Sequence, residues 1–220
     1  MAKIVVSASS LPAGRNMSSQ VEYIKRVQNY GADMYHLDIM DGKFVKNETI
    51  DYNYFEQLKE SSTLLFDVHL MVMAPSKGLI NKYVKHGANI ITLQYEAYED
   101  KVKLVKNLGY IKKQGCMAGL AIDITTEVSE VQDILSHLDL ILVMAVKTGA
   151  GGQKFNEDAL KKLKEIRKIN KKILIEVDGG INALTAPKCV KAGADILAVG
   201  SYIYENDTYE AIQTLKGKNG

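Results

Sequence analysis

Cysteine is scarce in this chain. Cys116 and Cys189 are the two among 220 residues, and no Cys-x-x-Cys occurs. That usage fits a reducing compartment. Long apolar runs are missing as well. None approaches the ~20 residues of a membrane span, and the N-terminus lacks the basic-then-apolar signature of a secretory leader. A soluble cytoplasmic protein with no membrane partner is expected. Charge of one sign is also lacking: 28 Lys and Arg stand against 26 Asp and Glu, a net charge of +2. No basic block stands out, which argues against nucleic acid as a partner. Lys161-Lys162-Leu163-Lys164 and Lys171-Lys172 have helix-like spacing and are expected to be solvated faces. A Gly-x-Gly-x-x-Gly turn after the first strand is absent too, since that position reads Ser9-Ser10-Leu11-Pro12. This weighs against a doubly wound dinucleotide-binding sheet.

What is present is alternation. Hydrophobic content is 46%, enough for a sizeable core. Short Ile-, Val- and Leu-rich runs fall at Lys3–Ala8, Met34–Ile39, Leu64–Met71, Ile90–Leu93, Met117–Ile122, Leu138–Val146, Ile173–Val177 and Ile196–Val199. Amphipathic stretches follow them near 18–30, 51–60, 76–86, 98–113, 127–136, 156–169, 183–192 and 205–216. Continuous apolar runs are the pattern of parallel strands buried on both faces. Gly31-Ala32-Asp33, Gly87-Ala88-Asn89 and Gly193-Ala194-Asp195 repeat at helix-to-strand junctions, as expected of a recurring βα unit. Pro75 suits a first helical turn and Ser18 or Ser19 an N-cap. Pro187 moves the start of its helix towards Thr185. Eight alternations in this length predict one α/β domain, 1–220: a single (β/α)8 TIM barrel.

In such a barrel the C-terminal strand ends converge on one mouth. His36 and Asp38 end the second strand on one side of it, two residues apart. His69 ends the third and Asp178 the seventh. Two imidazoles and two carboxylates can surround one divalent ion. His86 and His137 are expected at helix C-termini, where the helix dipole favours an imidazolium. The glycines of Gly149-Ala150-Gly151-Gly152, Asp178-Gly179-Gly180 and Gly200-Ser201 follow the sixth, seventh and eighth strands. Backbone at those loops can approach a phosphate closely. Met40, Met71 and Met144 sit at strand ends, and by spacing alone are gap-fillers of the core.

The chain resembles the ribulose-phosphate 3-epimerase family through almost its whole length. The motifs are His36-Leu37-Asp38-Ile39-Met40-Asp41-Gly42-Lys43-Phe44-Val45, Asp67-Val68-His69-Leu70-Met71-Val72, Gly149 with Gly151-Gly152-Gln153-Lys154-Phe155, Glu176-Val177-Asp178-Gly179-Gly180-Ile181-Asn182 and Gly193-Ala194-Asp195. The resemblance implies a barrel of the ribulose-phosphate binding type that inverts C3 of a ketose phosphate. D-ribulose 5-phosphate to D-xylulose 5-phosphate is the reaction implied, and D-allulose 6-phosphate is the alternative substrate. It implies one divalent ion per chain, zinc or iron before manganese or cobalt, held by His36, Asp38, His69 and Asp178. Asp38 and Asp178 are implied as the acid/base pair acting through an enediolate. The implied substrate contacts are Ser10, with Ser7 its neighbour in the same strand, His69, Gly149, Gly151, Gly152, Gly179, Gly180, Gly200 and Ser201. Met40, Met71 and Met144 would line the enediolate pocket. Relatives form dimers or hexamers, so a homo-oligomer is expected. Four positions depart from the family pattern. Gln94-Tyr95-Glu96 stands for His-x-Glu, and Lys147-Thr148-Gly149-Ala150 opens the loop in place of Asn-Pro-Gly-Phe. Ser10-Leu11-Pro12 replaces Ser-Ala-Asp, and Ala145 replaces Ser or Thr. A sugar-phosphate aldolase or decarboxylase, with Lys147 as a Schiff base, and a non-catalytic sugar-phosphate binder are the readings from other classes.

Overall fold

A computed structural model describes residues 4–49 and 52–218. Its strands and helices alternate in the order β1 (Val5–Ser9), α1 (Met17–Asn29), β2 (Met34–Met40), α2 (Tyr52–Glu60), β3 (Leu65–Met71), α3 (Lys77–Lys85), β4 (Ile90–Gln94), α4 (Lys101–Lys113), β5 (Met117–Ile122), β6 (Leu140–Met144), α5 (Asp158–Ile169), β7 (Leu174–Asp178), α6 (Ala186–Ala192), β8 (Ile196–Val199), α7 (Ser201–Glu205) and α8 (Thr208–Leu215). All neighbours are parallel, and β8 pairs back onto β1 to close the barrel in strand order one to eight. The predicted barrel and all eight strands are therefore present. Lys3 and Asp51, at the ends of two predicted segments, lie outside the described residues.

The register puts alternate strands at one height, with inward side chains in layers of four. Met34, Ile90, Leu140 and Ile196 form an apolar layer near the strand N-termini, part of one buried cluster. The next layers towards the mouth hold Ser7, Asp67, Gly119 and Glu176, then His36, Thr92, Leu142 and Ala198. Outward strand residues such as Tyr35, Leu37, Phe66, Val68, Ile91 and Val177 pack under the helices in the larger cluster. The interior thus changes from apolar to polar within one strand step.

The repeated junction has a physical cause. Gly193, in the left-handed region at φ 116°, ends α6, and Asp195 then clasps the preceding strand. Its Oδ2 accepts the Ile175 N–H at 2.9 Å, while its own N–H donates to the Ile175 carbonyl at 2.8 Å. Asp33 does the same to Val6, and Asn89 to Phe66. Asp139 clasps Ala118 without any preceding Gly-Ala. These four residues finish the ladder where the strands begin, at the end of the barrel away from the mouth.

Local predictions need four corrections. Residues 127–136 form no α-helix; single 3₁₀ turns at Val128–Glu130 and Leu135–His137 replace it. Val128, Val131 and Ile134 are buried, and a three-residue period suits 3₁₀ geometry. His137 consequently ends a 3₁₀ turn, exposed, whereas His86 does cap α3. Asn16, rather than Ser18 or Ser19, caps α1 by accepting the Ser19 N–H at 3.1 Å. Pro75 precedes the Ser76 cap of α3 and stays outside the helix, while Pro187 falls in the first turn of α6 after the Thr185 cap. Lys162 is not part of a solvated face. It is buried, and its ammonium donates to the carbonyls of Asp123 at 3.1 Å, Ile124 at 2.7 Å and Thr126. Those three bonds hold the turn that leads from β5 into the first 3₁₀ turn.

Candidate active site

β2 and β3 supply the centre of the site. His36, Asp38 and His69 point inward by the two-residue period, and their ligand-type atoms lie within 4.8 Å of one another. Asp38 Oδ1 is 3.3 Å from His36 Nε2 and 3.2 Å from His69 Nδ1. The opposite ring nitrogen of each imidazole is tied elsewhere. His36 Nδ1 is 2.7 Å from Asp67 Oδ2, and His69 Nε2 is 2.7 Å from Gln94 Oε1. When one ring nitrogen donates outward, the other offers its lone pair inward, the arrangement that metal-ligating histidines use. The donor set therefore fits one divalent cation. His36, Asp67 and Glu176 form a second set within the same limit. It reaches deeper into the barrel and is fully buried, whereas Asp178, beside the first set, borders the open cleft.

Asp178 ends β7 and is partly open to solvent. Burial, then the Asp38 carboxylate, push its carboxyl up to about 6, against the opposing pull of the two imidazoles. Asp38 goes the other way. Burial opposes its ionisation, but His36 and His69 hold it well below the usual carboxylate range. Two carboxylates serving one centre thus have divergent proton affinities, a pattern of acid/base pairs. Burial would lower His36, yet Asp67 and Asp38 outweigh it and raise the imidazole well above its ordinary value.

The glycine loops form the wall of a cleft of about 920 Å³ over β7 and β8, bordered by Gly151, Gly152, Asp178, Gly179, Gly180, Gly200 and Ser201. A Cβ on Gly180 would run into the Phe155 backbone, and its φ of 65° suits glycine. The first N–H groups of α7 lack intrahelical partners by construction, so this wall offers donors to an anion. Ser10 and Gly149 lie in an adjoining hollow of about 150 Å³ with Met40, Asn47 and Thr49. Asn47 ties the two loops over that hollow by donating to the Gly149 carbonyl at 2.7 Å. Met40, Met71 and Met144 are all buried. Lys147 is exposed at the loop's edge.

Five residues of the site carried no assigned role in the sequence reading. Ser9, rather than Ser10, faces the centre, 3.3 Å from Asp38 Oδ2, and Ser7 lies 3.4 Å from Asp67 Oδ2. Asp67 and Glu176 stand two residues before His69 and Asp178, so the strand period that picked out the ligands also places them inward. Burial and the Asp67 carboxylate push Glu176 well above the usual carboxylate range. Asp67 Oδ1 and both Glu176 oxygens have no hydrogen-bond partner, Glu176 Oε1 standing 3.5 Å from His36 Nδ1, and a neutral Glu176 can donate to Asp67. Gln94 and Glu96 complete the five, on the β4 side of His69.

Comparison with known proteins identifies the family. The model of the Ribulose-phosphate 3 epimerase family matches residues 5–204. The ribulose-phosphate 3-epimerase of Bacillus subtilis is 40% identical over 200 residues, covering 88% of this chain and 90% of that protein. The chloroplastic ribulose-5-phosphate-3-epimerase of Arabidopsis thaliana is 36% identical over 218 residues, 97% and 76% of the two chains. In solved structures, a 3-hexulose-6-phosphate synthase superposes with a TM-score of 0.69 at 17% identity, covering 99% of this chain and 100% of that one. A 3-keto-L-gulonate-6-phosphate decarboxylase from Vibrio cholerae gives 0.72 at 11%, over 99% and 97%. Those two likenesses are of fold. The chain belongs to the ribulose-phosphate 3-epimerase family.

Proposed function

We propose that this protein inverts C3 of a ketose phosphate, interconverting D-ribulose 5-phosphate and D-xylulose 5-phosphate. The observation that supports the reading is the group of His36, Asp38 and His69, with the Asp178 carboxyl at the end of β7 close enough to feel the Asp38 charge and set on the edge of a glycine-walled cleft. His36, Asp38, His69 and Asp178 would hold one divalent ion, and two imidazoles with two carboxylates suit zinc or iron. Such an ion, when bound, supplies Lewis-acid stabilisation of negative charge on the sugar's carbonyl and hydroxyl oxygens.

The chain's own residues do the rest. One carboxylate removes the proton from C3, leaving an enediolate, and the other delivers a proton to the opposite face. Of the two, Asp178 is the more basic in the metal-free fold and borders the open cleft, which suits it to exchange a proton with the sugar. Asp38 is steadied by the Ser9 hydroxyl on Oδ2. The backbone at Gly179, Gly180, Gly200 and Ser201 would grip the phosphate, so that the sugar stays in place for both proton transfers. Buried Met40, Met71 and Met144 present soft apolar surface that keeps water from the carbanion. Free, buried Cys116 and Cys189 accord with a cytoplasmic setting.

The test is a substrate panel followed by NMR in heavy water. Ribulose 5-phosphate should convert to xylulose 5-phosphate with solvent deuterium appearing at C3. Faster turnover of allulose 6-phosphate would move the assignment to the hexulose. Release of carbon dioxide or a cleaved fragment without exchange at C3 would overturn it.

A further inference from the structure

Behind His69 runs a polar chain, buried at Gln94 and half-buried at Glu96 and Asp123, that the proton transfers do not use. Gln94 Nε2 lies 2.5 Å from Glu96 Oε2. Glu96 Oε1 accepts the Asp123 N–H at 2.8 Å and the Thr126 hydroxyl. The segment carrying Asp123 and Thr126 is the one held by the Lys162 ammonium. Thr148 N–H, from the opposite side, donates to Asp123 Oδ2 at 2.8 Å.

Each bond in this chain has one possible direction. An ionised carboxylate only accepts, and Glu96 already receives two donors on Oε1. Gln94 must therefore turn its NH2 towards Oε2. Its one remaining polar atom, Oε1, only accepts, so His69 must bring the proton on Nε2. In the neutral imidazole that a metal ion requires, Nδ1 is then left with its lone pair, 3.2 Å from Asp38 Oδ1. The amide is itself fully buried and does not ionise, so it passes the acceptor character of the Glu96 carboxylate on to His69.

We propose that Gln94 is the positioning residue of His69, setting its tautomer and ring orientation by relaying the acceptor character of Glu96. The proposal rests on the reading of His69 as a metal ligand. Replacement by an apolar side chain would strand the His69 Nε2–H and Glu96 Oε2 together. Replacement by a second carboxylate would set two like charges against each other. Exchanging the two residues, Gln94→Glu with Glu96→Gln, restores every donor to an acceptor: the carboxylate then receives His69 and the amide N–H, and the amide oxygen receives Asp123 and Thr126.

The experiment is Co²⁺ titration of the metal-free full-length protein against a competing chelator, with the visible spectrum of the bound ion recorded. Gln94→Leu should weaken Co²⁺ binding by about 10- to 100-fold, the usual effect of losing the partner of a ligating histidine, and alter the cobalt bands. Gln94→Glu should also weaken it, and the exchanged pair should recover affinity to within about twofold of wild type. Wild-type affinity and spectrum in folded Gln94→Leu would overturn the proposal. Should that variant not fold, an exchanged pair binding no better than Gln94→Glu would overturn it instead. His69→Ala is the control for the underlying reading. It should lose the ion, and retention there would remove His69 from the ligand set whatever the Gln94 variants do.

Discussion

The two ends of the barrel use aspartate for opposite purposes. At the end where the strands begin, Asp33, Asp139 and Asp195, with Asn89, each accept a backbone N–H from the neighbouring strand. Asp33 and Asp195 are also paired with Lys216 and Arg167. Towards the mouth, Asp38 and the deeper Asp67 and Glu176 are buried against imidazoles and against one another, Asp178 stands at the edge of the open cleft, and Asp67 Oδ1 and the Glu176 oxygens have no hydrogen-bond partner. The first arrangement satisfies each charge locally and stabilises the barrel. The second keeps charge out of water at an energetic cost, so that it can act on something absent from the folded chain alone. Position along the strand, not residue type, decides which role an aspartate takes.

The sharpest way to break the comparison is to neutralise one carboxylate at each end. Asp178→Asn should lower kcat by about 10²–10⁴-fold, the range for loss of a general acid/base. In metal-free protein it should at the same time raise Tm at pH 8. The carboxyl's folded value of about 6 exceeds its ordinary 3.8, so ionisation above pH 6 disfavours the fold. The penalty shrinks as pH falls through about 6, because the folded state then takes up the proton. Thermal melts of both proteins from pH 8 to pH 4.5 read this directly, and a lower Tm for Asp178→Asn at pH 8 would contradict it.

Asp195→Ala should do the reverse. It strands the Ile175 N–H and takes the carboxylate from Arg167, whose guanidinium keeps the Gly193, Lys171 and Ile173 carbonyls, costing about 2–3 kcal/mol, with kcat per folded molecule unchanged. Urea denaturation and active-site titration separate the two effects. Asn89→Ala removes a neutral acceptor from Phe66 N–H and should cost less, about 1–2 kcal/mol. An equal or larger loss than for Asp195→Ala would mean that charge adds nothing to the clasp. The smallest effect belongs to Lys161→Ala. Its ion pair with Asp158 is fully exposed, so the midpoint of unfolding should not move measurably.

The same contrast explains what could be read in advance. Eight short apolar runs announced the barrel because strands buried on both faces need no polar alternation. Asp38, His69 and Asp178 were legible because each interrupts such a run near its C-terminal end, and His36 because it stands two residues before Asp38 on the same side of the strand. Asp67 and Glu176 interrupt the same runs two residues earlier, but a polar residue in mid-strand has no meaning until the inward layers are known. Residues 127–136 misled because apolar residues three apart fit a helix and successive 3₁₀ turns alike. Lys162 misled because a lysine between lysines on an amphipathic helix reads as solvated, and only the approach of three carbonyls from another loop shows otherwise.

By itself, then, the sequence determined the strand count, the parallel pairing and the ends that carry the chemistry, since these follow from local periodicity and chain connectivity. Only the tertiary structure decided the direction of each hydrogen bond around the ligands. It set His36 to face inward through Nε2 and His69 through Nδ1, and it placed Ser9 rather than Ser10 against Asp38. Those outcomes depend on which acceptor stands behind each ring. The acceptors Asp67 and Gln94 come from different strands, brought within reach only when the barrel closes.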